Sequence, residues 1–198
     1  MASIKEKIAY ALGDAAAGGI VWKVMSIAFP LFFTNVFGLS FADAAVLMLV
    51  ARMFDVVTDP LMGSLADRTQ SRFGTYRPWL IFGAIPFGLI FALLLYTPDF
   101  GPVGKRIYAY TLYLLMMAVY TMVNVPYGSL LGVMTDDDNE TNQFSSFRMV
   151  GAYAMGFITL LSFPYLQKMV GGTDAHQYAV IGAVLGVVAA VLTLACGL

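Results

Sequence analysis

The chain has 198 residues, 60% of them hydrophobic and 12% charged, with a net charge of −1 and a mean hydropathy of +0.78. Soluble domains run near 45–50% apolar and about 25% charged, so this is the composition of a polytopic membrane protein whose partners include membrane lipid. With no basic excess there is no nucleic-acid partner to expect, and the single Cys196 and single His176 exclude a disulfide framework and a zinc cage.

Six segments are long and apolar enough to cross about 30 Å of hydrocarbon. The fold class is all-α, with transmembrane helices near 9–36, 42–66, 78–98, 107–132, 144–167 and 177–197 forming one bundle over 1–198. The start MASIKEKIAYALGDAAAGG is basic, but no small-residue cleavage site follows a compact apolar core, so it reads as a first span rather than a removable signal. That span carries Asp14 and Lys23, nine residues apart, which on an ideal helix places them on opposite faces. Gly13, Gly18 and Gly19 with Ala15 to Ala17 make its first half slim enough for close approach of a neighbour or a ligand. Lys23 either bridges to a carboxylate of another span or meets a ligand, and Trp22 either packs or stacks on a ligand's apolar face.

The second span holds the densest information. Arg52, Asp55 and Asp59 stand at i, i+3 and i+7, which puts all three on one helix face among apolar neighbours from Val46 to Met62. A charge at the middle of a spanning helix costs roughly 2.5–3.5 kcal/mol on insertion scales, so such residues face a partner or a water-filled cavity and mark an ion or substrate path. Two carboxylates one turn apart suit a hard monovalent cation or a shared proton. The alternative is a structural Arg52–Asp55 pair, which leaves Asp59 without a partner.

The charged run from Asp67 to Arg77 separates the second and third spans, and Pro98-Asp99-Phe100-Gly101-Pro102 the third and fourth. Pro126 interrupts the fourth span and frees a backbone carbonyl one turn earlier. Thr121, Asn124 and Tyr127 lie near one face beside it, as cavity groups or as hydrogen-bonding links between helices. Acidic Asp136 to Glu140 leads into the fifth span, whose Arg148 either snorkels to the surface or projects into a central cavity. Gly171 to Asp174 forms the last turn, with His176 read as a loop residue. Lys5, Lys7, Arg68, Arg72 and Arg77 on one side against Lys105, Arg106 and Lys168 on the other put the N-terminus in the cytoplasm by the positive-inside rule.

Five strings in order, Tyr10-Ala-Leu-Gly-Asp14, Phe32 to Ser40 (FFTNVFGLS), Asp55-xxx-Asp59-Pro60, Arg72-Phe-Gly-xx-Arg77-Pro78-Trp79 and Asn124-Val-Pro-Tyr127, resemble the glycoside-pentoside-hexuronide:cation symporter family. These are the melibiose-carrier relatives within the major facilitator superfamily. The resemblance covers the whole chain and implies cation-coupled sugar transport in a bacterial inner membrane, with no cofactor and with Na+ or H+ as the co-transported ion. It implies a cation site of Asp55 and Asp59, with sodium held there if not a proton, helped by Thr58 and Thr121. A sugar site is implied from Lys23, Asn124, Tyr127, Arg148, Asp14 and Trp22. A cytoplasmic gating loop is implied around Gly63, Asp67, Arg68, Arg72 and Arg77. In the melibiose carrier an acidic residue stands at the place of Asn124, an aromatic at Gly128 and an Asn at Thr58. Its sugar-binding Asp of helix one has no counterpart near Gly18 or Gly19, whereas Arg148 matches. These departures speak against melibiose and leave a glycoside, a pentoside or a uronide.

The family has twelve helices and this chain supplies the first six, one of two halves whose interface holds the substrate. The expected partner is therefore a C-terminal six-helix half, as the remainder of a longer protein or a separate chain, or else a second copy. The competing expectation is a non-transporting membrane interaction protein in which the half-bundle is a docking surface. No nucleophile, base and orienting group converge, so the chain is not read as an enzyme.

Overall fold

The computed structural model describes residues 3–198. Among them α1 runs continuously over Ile4–Val36, followed by α2 Phe41–Arg68, α3 Arg77–Leu94, α4 Pro102–Met134, α5 Asp138–Val170 and α6 Asp174–Gly197. Five of these are long and apolar enough to cross a membrane. The exception is α2, whose Arg52, Asp55 and Asp59, with Asp43, Asp67 and Arg68 near its ends, leave no stretch of that length with so few charges.

The helix ends follow local chemistry. Ser3 and Glu6 form a reciprocal capping box at the start of α1, with Ser3 N–H donating to Glu6 at 2.7 Å. Ser40 caps α2 by accepting from Asp43 N–H at 3.0 Å, and Asp137 caps α5 by accepting from Asn139 N–H at 2.9 Å. The third span is shorter than its hydropathy suggests. It stops at Leu94 because the chain turns at Leu95, and Tyr96-Thr97-Pro98 run on outside the helix. His176 lies in the first turn of α6, not in the loop, since Thr173 caps that helix by accepting from its N–H at 3.4 Å.

Within α1, Ala15–Val21, Val24–Ala28 and Phe32–Val36 are wound as π-helix. Bonds spanning five residues rather than four turn the chain through less than 100° per residue. Asp14 and Lys23 therefore both face α5, one against Arg148 and the other against Gly156 and Tyr153. The opposite-face expectation holds only for uniform α-winding.

The bundle is built from pairs: α3 on α6, α3 on α4, α1 on α5 and on α6, and α2 on α4. Small residues set the tightest of them. A Cβ at Gly88 would collide with the Gly186 carbonyl, and one at Gly19 would sit 2.8 Å from Met155 Cβ. Two apolar clusters enclose α1, the larger running from Ala16 to its C-terminal end. At one end Phe29, Phe32, Phe33 and Phe37 pack with Tyr113 and Tyr178, the Phe29 and Tyr113 rings stacked at 5.2 Å. At the other, Tyr10, Leu80, Tyr127, Leu130, Phe144 and Cys196 form a second cluster. Beside the middle of α1, at Gly18 and Trp22, a cavity opens.

Candidate functional site

On α2 the buried residues Ala44, Leu47, Ala51, Met62 and Ala66 follow a near-heptad stripe that seats the helix against α4. The ionisable face borders that seam. A cavity of about 280 Å³ lies there, lined by Gly18 and Trp22 of α1, Arg52, Asp55 and Asp59 of α2, and Met117, Tyr120, Thr121, Asn124 and Val125 of α4. Thr121 Oγ1 donates to Asp59 Oδ1 at 2.8 Å. Arg52 Nη1 stands 3.7 Å from Asp55 Oδ2, with the two side chains 61% and 17% exposed. The other carboxylate oxygen, Asp55 Oδ1, is buried and receives no hydrogen bond, although buried acceptors are almost always satisfied. The Arg52 guanidinium lies 4.6 Å from the Trp22 ring centre, and Trp22 in turn is 5.7 Å from Tyr120. Beyond the Arg52 and Trp22 pair a second cavity of about 360 Å³ continues between Met25, Ser26, Met48 and Tyr113. The arrangement presents hard oxygen acceptors, one of them open, next to an exposed guanidinium and an aromatic face. This is a donor set suited to a small cation or proton together with a hydroxyl-rich ligand.

The other expected residues distribute differently. Thr58 turns away: its hydroxyl donates to the Phe54 carbonyl of its own helix at 3.1 Å, and it borders an adjoining apolar groove with Leu61, Leu65 and Trp79, on the other side of Thr121. Tyr127 lies one turn past Asn124 and is buried outside the cavity. Its hydroxyl donates to the Tyr10 carbonyl at 2.9 Å while Tyr10 donates to the Tyr127 carbonyl at 3.3 Å. The two rings stack at 4.6 Å. Arg148 neither snorkels nor enters the cavity, because Nε pairs with Asp14 Oδ2 at 3.1 Å and the guanidinium lies 5.7 Å from the Tyr127 ring. So Asp14, Tyr127 and Arg148 form one cluster tying α1, α4 and α5 together, next to the cavity that holds Trp22 and Asn124. Tyr120, Met117 and Val125 line the cavity without having been singled out from sequence, and Gly18, read from sequence as a place of close approach, lines it too. Tyr120 had a signal, standing four residues before Asn124 and so on its face. Tyr10 stood at the head of a motif string, but its pairing had no signal, because its partner is an α4 carbonyl 117 residues away.

The family described as MFS/sugar transport protein matches residues 9–197. The chain belongs to this family. Over 195 residues it is 44% identical to "Putative glycoside/cation symporter YagG" of Escherichia coli (strain K12), covering 98% of this chain and 42% of that one. It is 30% identical to the isoprimeverose transporter of Lactiplantibacillus pentosus, covering 94% of this chain and 40% of that one. With the glucuronide carrier protein homolog of E. coli (strain K12) the identity is 31%, covering 77% of this chain and 33% of the relative. The chain thus spans less than half the length of these relatives. The membership agrees with the family resemblance drawn from the sequence.

In this MFS/sugar transport family chain, the segment between α2 and α3 is tied at both ends. Tyr76 donates to Asp67 Oδ1 at 2.7 Å, and that bond to a carboxylate holds the phenol above its ordinary range. Trp79 Nε1 donates to Thr69 Oγ1 at 3.1 Å. Gly74 takes φ +92°, a left-handed turn that Ser71 closes by donating to its carbonyl at 2.8 Å. Arg68 occupies the last turn of α2, where a cation complements the helix dipole. Arg72 lies 4.8 Å from the Phe73 ring, and Arg77 opens α3. Gly63 faces Val125 across the α2–α4 seam, where a Cβ would find 3.9 Å of clearance.

Proposed function

We propose that the chain is the N-terminal half of a carrier that couples Na+ or H+ to uptake of a sugar, glycoside, pentoside or uronide across the bacterial inner membrane, with its N-terminus in the cytoplasm. The observation that carries this reading is the unsatisfied, buried Asp55 Oδ1 in one cavity with Asp59, itself held by Thr121. A purely structural Arg52–Asp55 pair accounts for neither feature: it is long at 3.7 Å, its arginine is exposed, and it leaves a polar atom stranded.

In this mechanism the cation, as cargo, enters between Asp55 and Asp59 and offsets their repulsion. Neutralised Asp55 then loosens Arg52, which stays on Trp22 and becomes available to ligand hydroxyls together with Asn124 and Tyr120. The Asp14, Arg148 and Tyr127 cluster borders the sugar site and holds α1, α4 and α5 in register around it. The opposing wall is supplied by a second six-helix half, against which this one rocks to give alternating access, while the Asp67 to Arg77 loop gates the cytoplasmic side. Coupling is a reciprocal free energy, so cation tightens sugar and sugar tightens cation by the same factor. The relatives' names include a glucuronide and isoprimeverose, so membership alone leaves the charge of the substrate open.

The test is made in the complete carrier containing this chain. Asp55→Cys and Asp59→Cys each abolish cation-stimulated uptake of labelled sugar while the protein still reaches the membrane. Uphill uptake at the unmodified level by both variants refutes the assignment.

A further inference from the structure

Among the described residues, three arginines inside or at the ends of the spans are paired with a carboxylate. Arg52 has Asp55 at 3.7 Å, Arg106 has Asp43 at 3.2 Å and Arg148 has Asp14 at 3.1 Å. Lys23 differs. It lies near the middle of α1, yet among the described residues no carboxylate stands within 4.0 Å of its ammonium. Its stem lies across Gly156 of α5, with Cγ and Cε 3.0 and 3.2 Å from where a Cβ there would be. The ammonium is 5.5 Å from the Tyr153 ring centre, and Tyr153 is 67% exposed. The charge is therefore held at an open edge of the α1–α5 seam rather than sealed in a core.

That edge adjoins the cavity. Trp22 N–H bonds the Ala17 carbonyl five residues back, so residues five apart stack here, and Lys23 stands over Gly18. Gly18 lines the cavity and also borders α5, where a Cβ on it would sit 3.5 Å from Ala152 Cβ. A lysine at mid-membrane costs roughly 2.5–3.5 kcal/mol, and a cation–π contact returns only about 0.5–2 kcal/mol. An anion that visits the cavity satisfies the rest.

We propose that Lys23 binds the carboxylate of the substrate, so that the carrier selects uronides over the matching neutral glycosides, with Trp22 under the sugar ring and Lys23 at its acidic end. This rests on the symporter reading above. Arg148 is excluded from the role by its bond to Asp14, and Arg52, once loosened from Asp55, stays on Trp22 and serves the ring hydroxyls rather than the acidic end.

The experiment measures cation-driven uptake by the complete carrier of methyl glucosides, galactosides and xylosides, and of the corresponding methyl glucuronides and galacturonides. At least one uronide is expected to be taken up about tenfold more efficiently than its neutral counterpart. Lys23→Met erases that preference, its loss on the uronide exceeding its loss on the neutral sugar about tenfold, while Lys23→Arg retains it. Equal handling of charged and neutral sugars by the unmodified carrier overturns the proposal. So does an equal loss on both in Lys23→Met at matched membrane levels, which makes a protein carboxylate the partner of Lys23. If neutral glycosides are driven uphill without any preference, the symporter reading stands and the Lys23 assignment falls; if no sugar is driven uphill, both fall.

Discussion

Removing the Thr121 hydroxyl isolates the step that holds Asp59 in place. Thr121→Val keeps the shape of the side chain and deletes the 2.8 Å bond that Asp59 Oδ1 accepts. A hydrogen bond to a charged group contributes about 1.5–3 kcal/mol net, and Asp59 is open enough to the cavity that water replaces part of it, which puts the loss at the low end. At about 1.4 kcal/mol per factor of ten, the cation concentration for half-maximal uptake rises roughly tenfold. Thr121→Ser, which keeps the donor, stays within about twofold of the unmodified protein. The assay is the initial rate of sugar uptake by the complete carrier against sodium and against proton concentration, normalised to protein in the membrane. If Thr121→Val shows an unchanged cation dependence at normal membrane levels, Asp59 is not positioned through Thr121 and the cation site is drawn wrongly.

Breaking the Asp14–Arg148 pair strands a charge near the α1–α5 seam, so Arg148→Ala and Asp14→Asn each lower thermal stability in detergent, and Arg148→Ala weakens sugar binding more than cation binding. The double variant Asp14→Asn with Arg148→Gln recovers most of the melting temperature; a double variant no more stable than the singles refutes the pairing argument. Gly88→Leu, which drives a side chain into the Gly186 backbone, abolishes a monodisperse peak in size-exclusion chromatography, whereas Gly128→Leu, facing open space, does not. The 198-residue chain expressed alone inserts and resists protease in membranes without concentrating sugar, and co-expression of a matching six-helix half restores uptake; gradient-driven accumulation in liposomes holding this chain alone contradicts the need for a second wall.

What the sequence disclosed about the fold follows from how strongly each signal is written. Hydropathy and turn chemistry separate the six helices because a spanning segment must be apolar and must satisfy its backbone internally. The α2 triad was legible for a related reason, since ionisable groups in an apolar run have few physical uses and their spacing fixes a shared face. Winding was not legible. Nothing in AAAGGIV announces a π-helical stretch, which arises where α1 is pressed against α5 at Gly19, Gly151 and Gly156, and that winding alone moved Lys23 to the side of Asp14. The pairing of Tyr10 with Tyr127 was hidden likewise, because each hydroxyl answers a main-chain carbonyl on another helix and leaves no trace in residue spacing.

Thr58 and Thr121 show why the candidate site itself was only half readable. Both are threonines at membrane depth near the two aspartates, and spacing on a helical wheel does not separate them. A threonine hydroxyl in a helix has a standing offer from the carbonyl four residues back, and Thr58 accepts it by donating to Phe54. Thr121 lies across the α2–α4 seam from Asp59, and a carboxylate outbids a carbonyl because charge-assisted bonds are about twice as strong. Which hydroxyl serves the aspartates is thus decided by the packing of two helices, and that packing is set by the buried apolar stripe Ala44, Leu47 and Ala51 rather than by any of the polar residues it brings together.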